Sequence, residues 1–299
     1  MKITITGASG FVGTHLTRIM IEQGHTVTGV GTSATHPREG TKNFNWISAD
    51  TTRPGPWQKN ISQAEVIINL TGKNIFGYWT KRYKSQIYDS RILTTKHIVD
   101  SIPESSQPLL MNTSAIGYYG DGGEDTLAEN REPGDDFLAS VCIDWEKEAL
   151  RATEKGCRVV LMRFGVVLGK EGGALAQMIP AFKLFAGGPL GSGRHWFPWI
   201  HVADLLQAII FLMQNKEFSG PFNFCAPETV RQKTFAKELG NALKRPSIMP
   251  APAFMMKLAL GEMSKAIMGS QKAVPKALLK EKFQFQFPRL AIALQEILK

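Results

Sequence analysis

Three glycines, Gly7, Gly10 and Gly13, recur at GxxGxxG spacing directly after the β-branched run KITIT. From Gly10 onward runs an apolar-periodic stretch in which Phe11, Val12, Leu16, Ile19 and Met20 would share a helix face. A glycine turn between a strand and a helix lets the backbone close on a pyrophosphate. The helix start adds oriented N–H groups and a partial positive charge. The usual dinucleotide fingerprint is GxGxxG; the spacing here is one residue longer and the same physics applies. Gly24 stops the helix and HTVTGVG supplies a second strand, which completes a β-α-β unit. That strand ends in Gly31-Thr32-Ser33, with no acid before Glu39. An acid there would bind a ribose 2′-hydroxyl and favour NAD. Without one a 2′-phosphate meets no repulsion, and Thr32, Ser33 or Arg38 can bind it. The expected cofactor is NADP, with NAD the weaker candidate.

Further strands are expected at FNWISAD (44–50), EVIINLTG (65–72), LLMNTSAIGYYG (109–120) and RVVLMRFGVVLG (158–169), with helices at 80–101 and 137–155 between them. Strands alternating with helices predict an α/β fold, a Rossmann doubly wound parallel sheet. A smaller C-terminal α+β substrate lobe follows it. In such sheets ligands gather at the carboxyl ends of the strands. The site is therefore expected at Leu70, Thr71 and Gly72, at Thr113 to Tyr119, and at Phe164 to Val167, with Val166 on the cofactor. Residues 1–230 read as the nucleotide-binding domain, with lobe segments interleaved from about 171. The returning FGVVLG strand is assigned to the sheet and PFNFCAPE to the lobe. Residues 231–299 read as a basic helical domain. In it FAKELGNALKRP is a helix, KFQFQFP a short strand, and the Met and Leu residues of 250–269 pack at helical spacing. Asp204 is expected to start the helix DLLQAIIFLM.

At this point the sequence resembles an atypical extended short-chain dehydrogenase/reductase. Within that group, which includes nucleotide-sugar epimerases, it resembles the epimerase-family proteins that carry their own C-terminal domain. The motifs are TGASGFVG, NLTGKNI, Trp79-Thr80 with Ser90-Arg91 and Thr94-Thr95, TSAIGYYG, GGPLGSGRHWFPWIHVADL, GPFNFCAPE, GEM and GSQKAVP. The resemblance implies a hydroxyl after the fifth strand that orients substrate, here Ser114 or Thr113. It also implies a Tyr that moves a proton and, four residues later, a Lys that favours the phenolate. If Glu146 holds the Glu that follows that Lys, then Cys142 stands at the Lys position and Leu138 at the Tyr position. Neither can do the job. Tyr119 remains as a replacement acid. The resemblance also places Arg91 near the cofactor phosphates and Arg194 toward an anionic substrate group. His201 is a candidate proton carrier, and Trp199 a candidate surface for substrate stacking.

The 299 residues are 43% hydrophobic and 20% charged, with a net charge of +9. Residues 231–299 hold 13 Lys and Arg against 4 Glu, so the whole excess lies there. The lysines are spread singly, which fits a solvated surface better than a nucleic-acid site. Cys142, Cys157 and Cys225 lack metal or disulfide spacing, so neither a metal nor a disulfide framework is expected. No signal sequence or spanning run is read. A cytoplasmic protein without a membrane partner is expected, with homodimerisation open. The function read is an NADP-binding oxidoreductase or epimerase-like protein acting on an unidentified small substrate, with an altered proton relay. The alternatives are a non-catalytic NADP-binding regulator, possible links to cell division included, and a nucleic-acid-binding module built on the basic tail.

Overall fold

The computed structural model describes residues 1–170 and 172–299. The first half runs β1 (Lys2–Thr6), α1 (Phe11–Glu22), β2 (Thr26–Gly31), β3 (Phe44–Ser48), α2 (Gln58–Ile61), β4 (Val66–Asn69), α3 (Lys81–Asp100), β5 (Leu109–Ala115), β6 (Thr126–Leu127) and α4 (Phe137–Leu150). Then come β7 (Arg158–Phe164), β8 (Val166–Gly169), α5 (Gly173–Lys183), β9 (Trp196–Phe197), β10 (Trp199–His201), α6 (Val202–Gln214) and β11 (Gly220–Phe224). The tail holds β12 (Val230–Arg231), α7 (Gln232–Leu243), α8 (Ala253–Leu260), α9 (Met263–Met268), β13 (Lys272–Ala273), α10 (Lys276–Lys280) and α11 (Leu290–Ile297).

Seven strands form one sheet in the order β11-β7-β5-β4-β1-β2-β3, and every pair in it is parallel. The fold is α/β and Rossmann-like, as expected. Strands buried on both faces must be apolar throughout, and VIIN of β4 is buried at all four positions. Its Val66 and Ile68 join Ile3, Ile5 and Leu16 in one core layer with Leu205 and Ile209 of α6. Its Ile67 faces the other layer, with Ile98 and Val99 of α3 and Ala149 of α4. Burying each such Ile contributes about 1.5–3 kcal/mol relative to exposure. From β1 the chain builds outward through β2 and β3, then returns to β4 and builds the other way. The reversal lies between β1 and β4, and in open sheets of this kind ligands bind in the crevice at the carboxyl ends of the strands at such a point.

Four sequence expectations change. The run 158–169 is two strands divided at Gly165, not one. The second, β8, pairs with β10 in a separate two-stranded sheet instead of returning to the central one. Conversely β11, expected in the lobe, extends the central sheet, with Phe224 opposite Phe164. Its alternating buried Phe222 and Phe224 suit either sheet, so pattern alone could not decide. KFQFQFP forms no strand. Phe283 and Phe287 are buried, and the Gln286 and Phe287 amides donate to the Asp204 carboxylate at 2.7 and 2.9 Å. Asp204 is therefore a tether for the C-terminal segment. The N-cap of α6 is His201 instead.

Candidate functional site

The glycine turn is built to be tight. Gly7 sits at φ 73°, a left-handed conformation that glycine adopts without steric penalty. A β-carbon built on it would lie 2.8 Å from the Leu70 carbonyl carbon, so the β1 and β4 tips touch. A β-carbon on Gly13 would lie 2.3 Å from the Gly7 carbonyl oxygen and 2.7 Å from Ala8 Cα. Only glycine lets α1 start this close to β1. The Phe11 side chain, next to Val12 at the start of α1, packs on the Gly169 and Gly172 backbone. That packing ties the glycine turn to the end of β8 and the start of α5, a role of Gly169 and Gly172 that spacing did not reveal.

Below the turn, buried polar groups fix the strand tips. Asn69 accepts from the Thr6 hydroxyl at 2.7 Å and donates to Asn112 at 2.7 Å and Thr95 at 3.0 Å. Trp145 of α4 donates to the same Thr95 hydroxyl at 2.9 Å. Thr113 is spoken for as well, donating to the Asn69 carbonyl at 2.8 Å. Among the described residues, the buried Thr71 hydroxyl has no protein partner. A buried orphan hydroxyl is uncommon and calls for a ligand or water.

At the β2 end, Thr32 and Ser33 are exposed and Gly31 lies under the Trp46 ring. The Trp46 indole donates to the Ser33 carbonyl at 3.3 Å and fixes this loop. His36, which sequence reasoning passed over, is buried between Phe44 and Trp46 and reaches the Ala8 carbonyl at 3.3 Å. A lone His between Thr and Pro gave no signal of this. Asp50, exposed, is engaged with the Thr52 amide and hydroxyl at 3.0 and 2.6 Å.

The face of α4 that packs on β5 carries Leu138, Cys142 and Glu146, each one turn apart. Leu138 lies 3.6 Å from a β-carbon built on Gly117. Cys142 sits beside Ser114 and Ala115, and burial pushes its thiol up to about 12. At neutral pH it is a protonated thiol, neither cation nor nucleophile. Ser114 is buried and donates to Glu146 at 2.6 Å. Glu146 pairs in turn with the buried Arg163 at 2.7 Å. Tyr119 is buried too. Its hydroxyl donates to Asn223 at 2.8 Å and accepts from Arg163 at 2.9 Å, and burial pushes it up to about 12. Ser114 and Tyr119 thus belong to one interior network centred on Arg163, which sequence reading missed. Tyr118, half-buried, stacks on the Arg163 guanidinium at 3.5 Å.

Arg91 occupies the space beside Cys142. Its guanidinium lies 5.1 Å from the Trp145 ring centre and 3.0 Å from where a Gly72 β-carbon would be. One nitrogen, Nη1, donates to the Lys73 and Ile87 carbonyls at 3.1 and 2.9 Å. The Ser90 hydroxyl accepts from the Lys73 amide at 2.9 Å, so α3 holds this loop at two points. No carboxylate pairs with Arg91 among the described residues, and burial draws its pKa below the ordinary value.

Trp199 and His201 fare differently from expectation. Trp199 is 1% exposed and donates to the Glu228 carbonyl at 3.2 Å, so it offers no face for stacking. His201 is a packing and capping residue. It accepts from the Ala203 amide at 3.1 Å, meets Glu296 at 2.9 Å and stacks on Phe287 at 4.0 Å. Arg194 is exposed. Val166, expected at the cofactor, pairs with Trp199 in the lobe sheet.

Burial lowers the pKa of His36, His195 and His201, outweighing the carbonyl and carboxylate partners that act the other way. The folded chain keeps them neutral where the unfolded chain, with values near ~6.5, takes up protons. Stability should therefore fall as pH drops from about 7.5 to about 5.5. Urea midpoints at the two pH values check this; an equal or higher midpoint at the acid end would refute it.

A parallel doubly wound sheet, with a glycine turn at its reversal point, defines a dinucleotide-binding α/β protein. The family model described as the NAD dependent epimerase/dehydratase family matches residues 3–225. The chain belongs to that family. A second model, described as a domain of unknown function (DUF1731), matches residues 251–297. The epimerase family protein SDR39U1 homolog, chloroplastic, of Arabidopsis thaliana is 38% identical, over 100% of this chain and 87% of its own. The epimerase family protein YfhF of Bacillus subtilis is also 38% identical, over 100% and 98%. The crystal structure of human epimerase family protein SDR39U1 (isoform2) with NADPH superposes with a TM-score of 0.86 at 29% identity, over 100% of this chain and 99% of that one.

Proposed function

We propose that the chain binds NADP at the β1–β4 crevice and acts on a small substrate as an oxidoreductase or epimerase. The observation that carries this is the crevice itself: a cradle that a single β-carbon would fill, with an orphan Thr71 hydroxyl and, beside it, an Arg91 guanidinium held by backbone carbonyls and neutralised by no carboxylate among the described residues. These groups fit a dinucleotide. Gly7, Gly10 and Gly13 with the α1 start would hold the pyrophosphate, Thr71 would meet an oxygen of the cofactor, and Thr32, Ser33 and Arg38 would face a 2′-phosphate. A relative of the same family is described with NADPH. When bound, the nicotinamide supplies hydride chemistry.

The chain's own part departs from a Tyr/Lys relay. Leu138 and Cys142 supply neither proton nor cation on the relay face, and Arg91 takes over the positive charge beside Cys142. Ser114 and Tyr119 are committed to the interior, so the half-buried Tyr118 is the nearer candidate to exchange a proton with substrate. Fluorescence titration should show tighter binding of NADPH than NADH. Arg91→Met should weaken NADPH binding roughly tenfold, the loss of one charge-assisted contact. Equal affinity for both cofactors, or no binding of either, would sink the assignment. A panel of carbonyl compounds and nucleotide sugars then tests turnover.

A second reading, a cofactor-dependent regulator without turnover, is favoured by Leu138 and Cys142 alone. It requires a partner whose capture changes with NADPH. Capture indifferent to the cofactor would remove it.

A further inference from the structure

The tail and the segment after α5 together present an apolar face that cofactor binding does not use. Leu184, Phe185, Ile248, Met249, Phe254 and Leu258 are all exposed, from 56% for Met249 to 83% for Leu258. They belong to one surface. The Met249 amide donates to the Gly187 carbonyl at 3.3 Å, the Ala251 amide to the Pro189 carbonyl at 2.9 Å, and the Gly191 amide to the Ala251 carbonyl at 2.8 Å. The two segments therefore run side by side, and Arg245 lies 5.0 Å from the Phe185 ring centre. Helix α8 begins two residues past Ala251, with Phe254 and Leu258 one turn apart. Phe185 holds φ 60°, which a bulky side chain adopts only at some cost in strain.

The two segments that build this face carry charge of one sign. Residues 172–203 and 239–261 contain no Asp or Glu, while Lys183, Arg194, Lys244, Arg245 and Lys257 fall within them. A soluble monomer seldom leaves a contiguous apolar patch of this kind without a use. Exposed Phe, Leu, Ile and Met among lysines and arginines match a surface that settles at the headgroup boundary of an anionic bilayer. A second copy of the chain would bring the same acid-free cationic face against itself, and like charges oppose that contact. Among the described residues no helix is long and apolar enough to cross a membrane, so the contact is peripheral. We propose that this face docks on an anionic lipid surface.

The test is co-sedimentation of the full chain with phosphatidylcholine vesicles, with and without phosphatidylglycerol. Binding should require phosphatidylglycerol and weaken as salt rises. A Phe254→Ser/Leu258→Ser variant and a Lys183→Gln/Lys257→Gln variant should each lose at least about tenfold in vesicle affinity. Near-UV circular dichroism should stay unchanged in both, since all four side chains are on the surface. Equal binding to neutral vesicles, or none to anionic ones, overturns the proposal. So does a concentration-dependent dimer in light scattering that Phe254→Ser/Leu258→Ser abolishes, because the face would then join two copies. Preferential retention of the wild-type chain on polyglutamate over vesicles, lost in the same variant, would assign the face to an acidic protein partner and overturn it too.

Discussion

Glu146→Ala is expected to lower the stability of the folded chain by about 3–5 kcal/mol. Arg163 is 3% exposed, so its charge depends on protein partners. Burial opposes that charge, yet the hydrogen bonds and charge of Glu146 outweigh the opposition and hold Arg163 protonated. The pair is bidentate, Nε to Oε1 at 2.8 Å and Nη2 to Oε2 at 2.7 Å. Removing the carboxylate strands a buried guanidinium and also leaves the Ser114 hydroxyl without its acceptor. The loss should appear as a lower urea midpoint with little change in slope. Replacing both partners, Glu146→Leu with Arg163→Met, should recover much of it, because no charge is then left buried. A single variant as stable as wild type would show that the network relaxes around the gap.

Gly13→Ala is the second large effect. Its new β-carbon would meet only backbone, so α1 has to move away from β1. Overpacking of this kind typically costs about 1–3 kcal/mol. The displaced helix start would also lose its aim at the crevice, and NADPH affinity should fall by roughly two orders of magnitude, about 2.7 kcal/mol. Gly10→Ala separates the two effects. Its β-carbon comes no closer than 3.2 Å, to the Gly7 carbonyl oxygen, so it should weaken NADPH binding while leaving the urea midpoint near wild type. NADPH titration of both variants checks this, and undiminished binding by Gly13→Ala would count against the crevice as the cofactor site.

How much of this was legible depended on whether a residue's role is local. The β-α-β unit could be read because the glycine spacing alone marks a tight turn at Gly7 and a close helix start at Gly13. The relay face could be read because Leu138, Cys142 and Glu146 lie one turn apart on any helix. Arg163 was invisible. It is the penultimate residue of RVVLMRF, where pattern shows a charged interruption but not the carboxylate seventeen residues earlier that neutralises it. His201 and Trp199 misled for a related reason. Their chemistry is versatile, and only long-range packing against Glu296, Phe287 and Glu228 shows that it is already used. The exchange of β8 and β11 between sheets was hidden because both are short apolar runs that either environment would accept.

The position of β11 also bears on how the chain is made. Strand β7 is complete at Phe164, but its outer neighbour ends at Phe224, about sixty residues later. During synthesis at ~5–20 residues per second, that interval lasts on the order of 3–12 s. For that time the nascent sheet has an apolar, unpaired margin that can template pairing with another chain. A fragment stopped near residue 170 would keep that margin permanently. The glycine turn would be whole in such a fragment, yet the piece should aggregate rather than serve as a minimal nucleotide-binding domain.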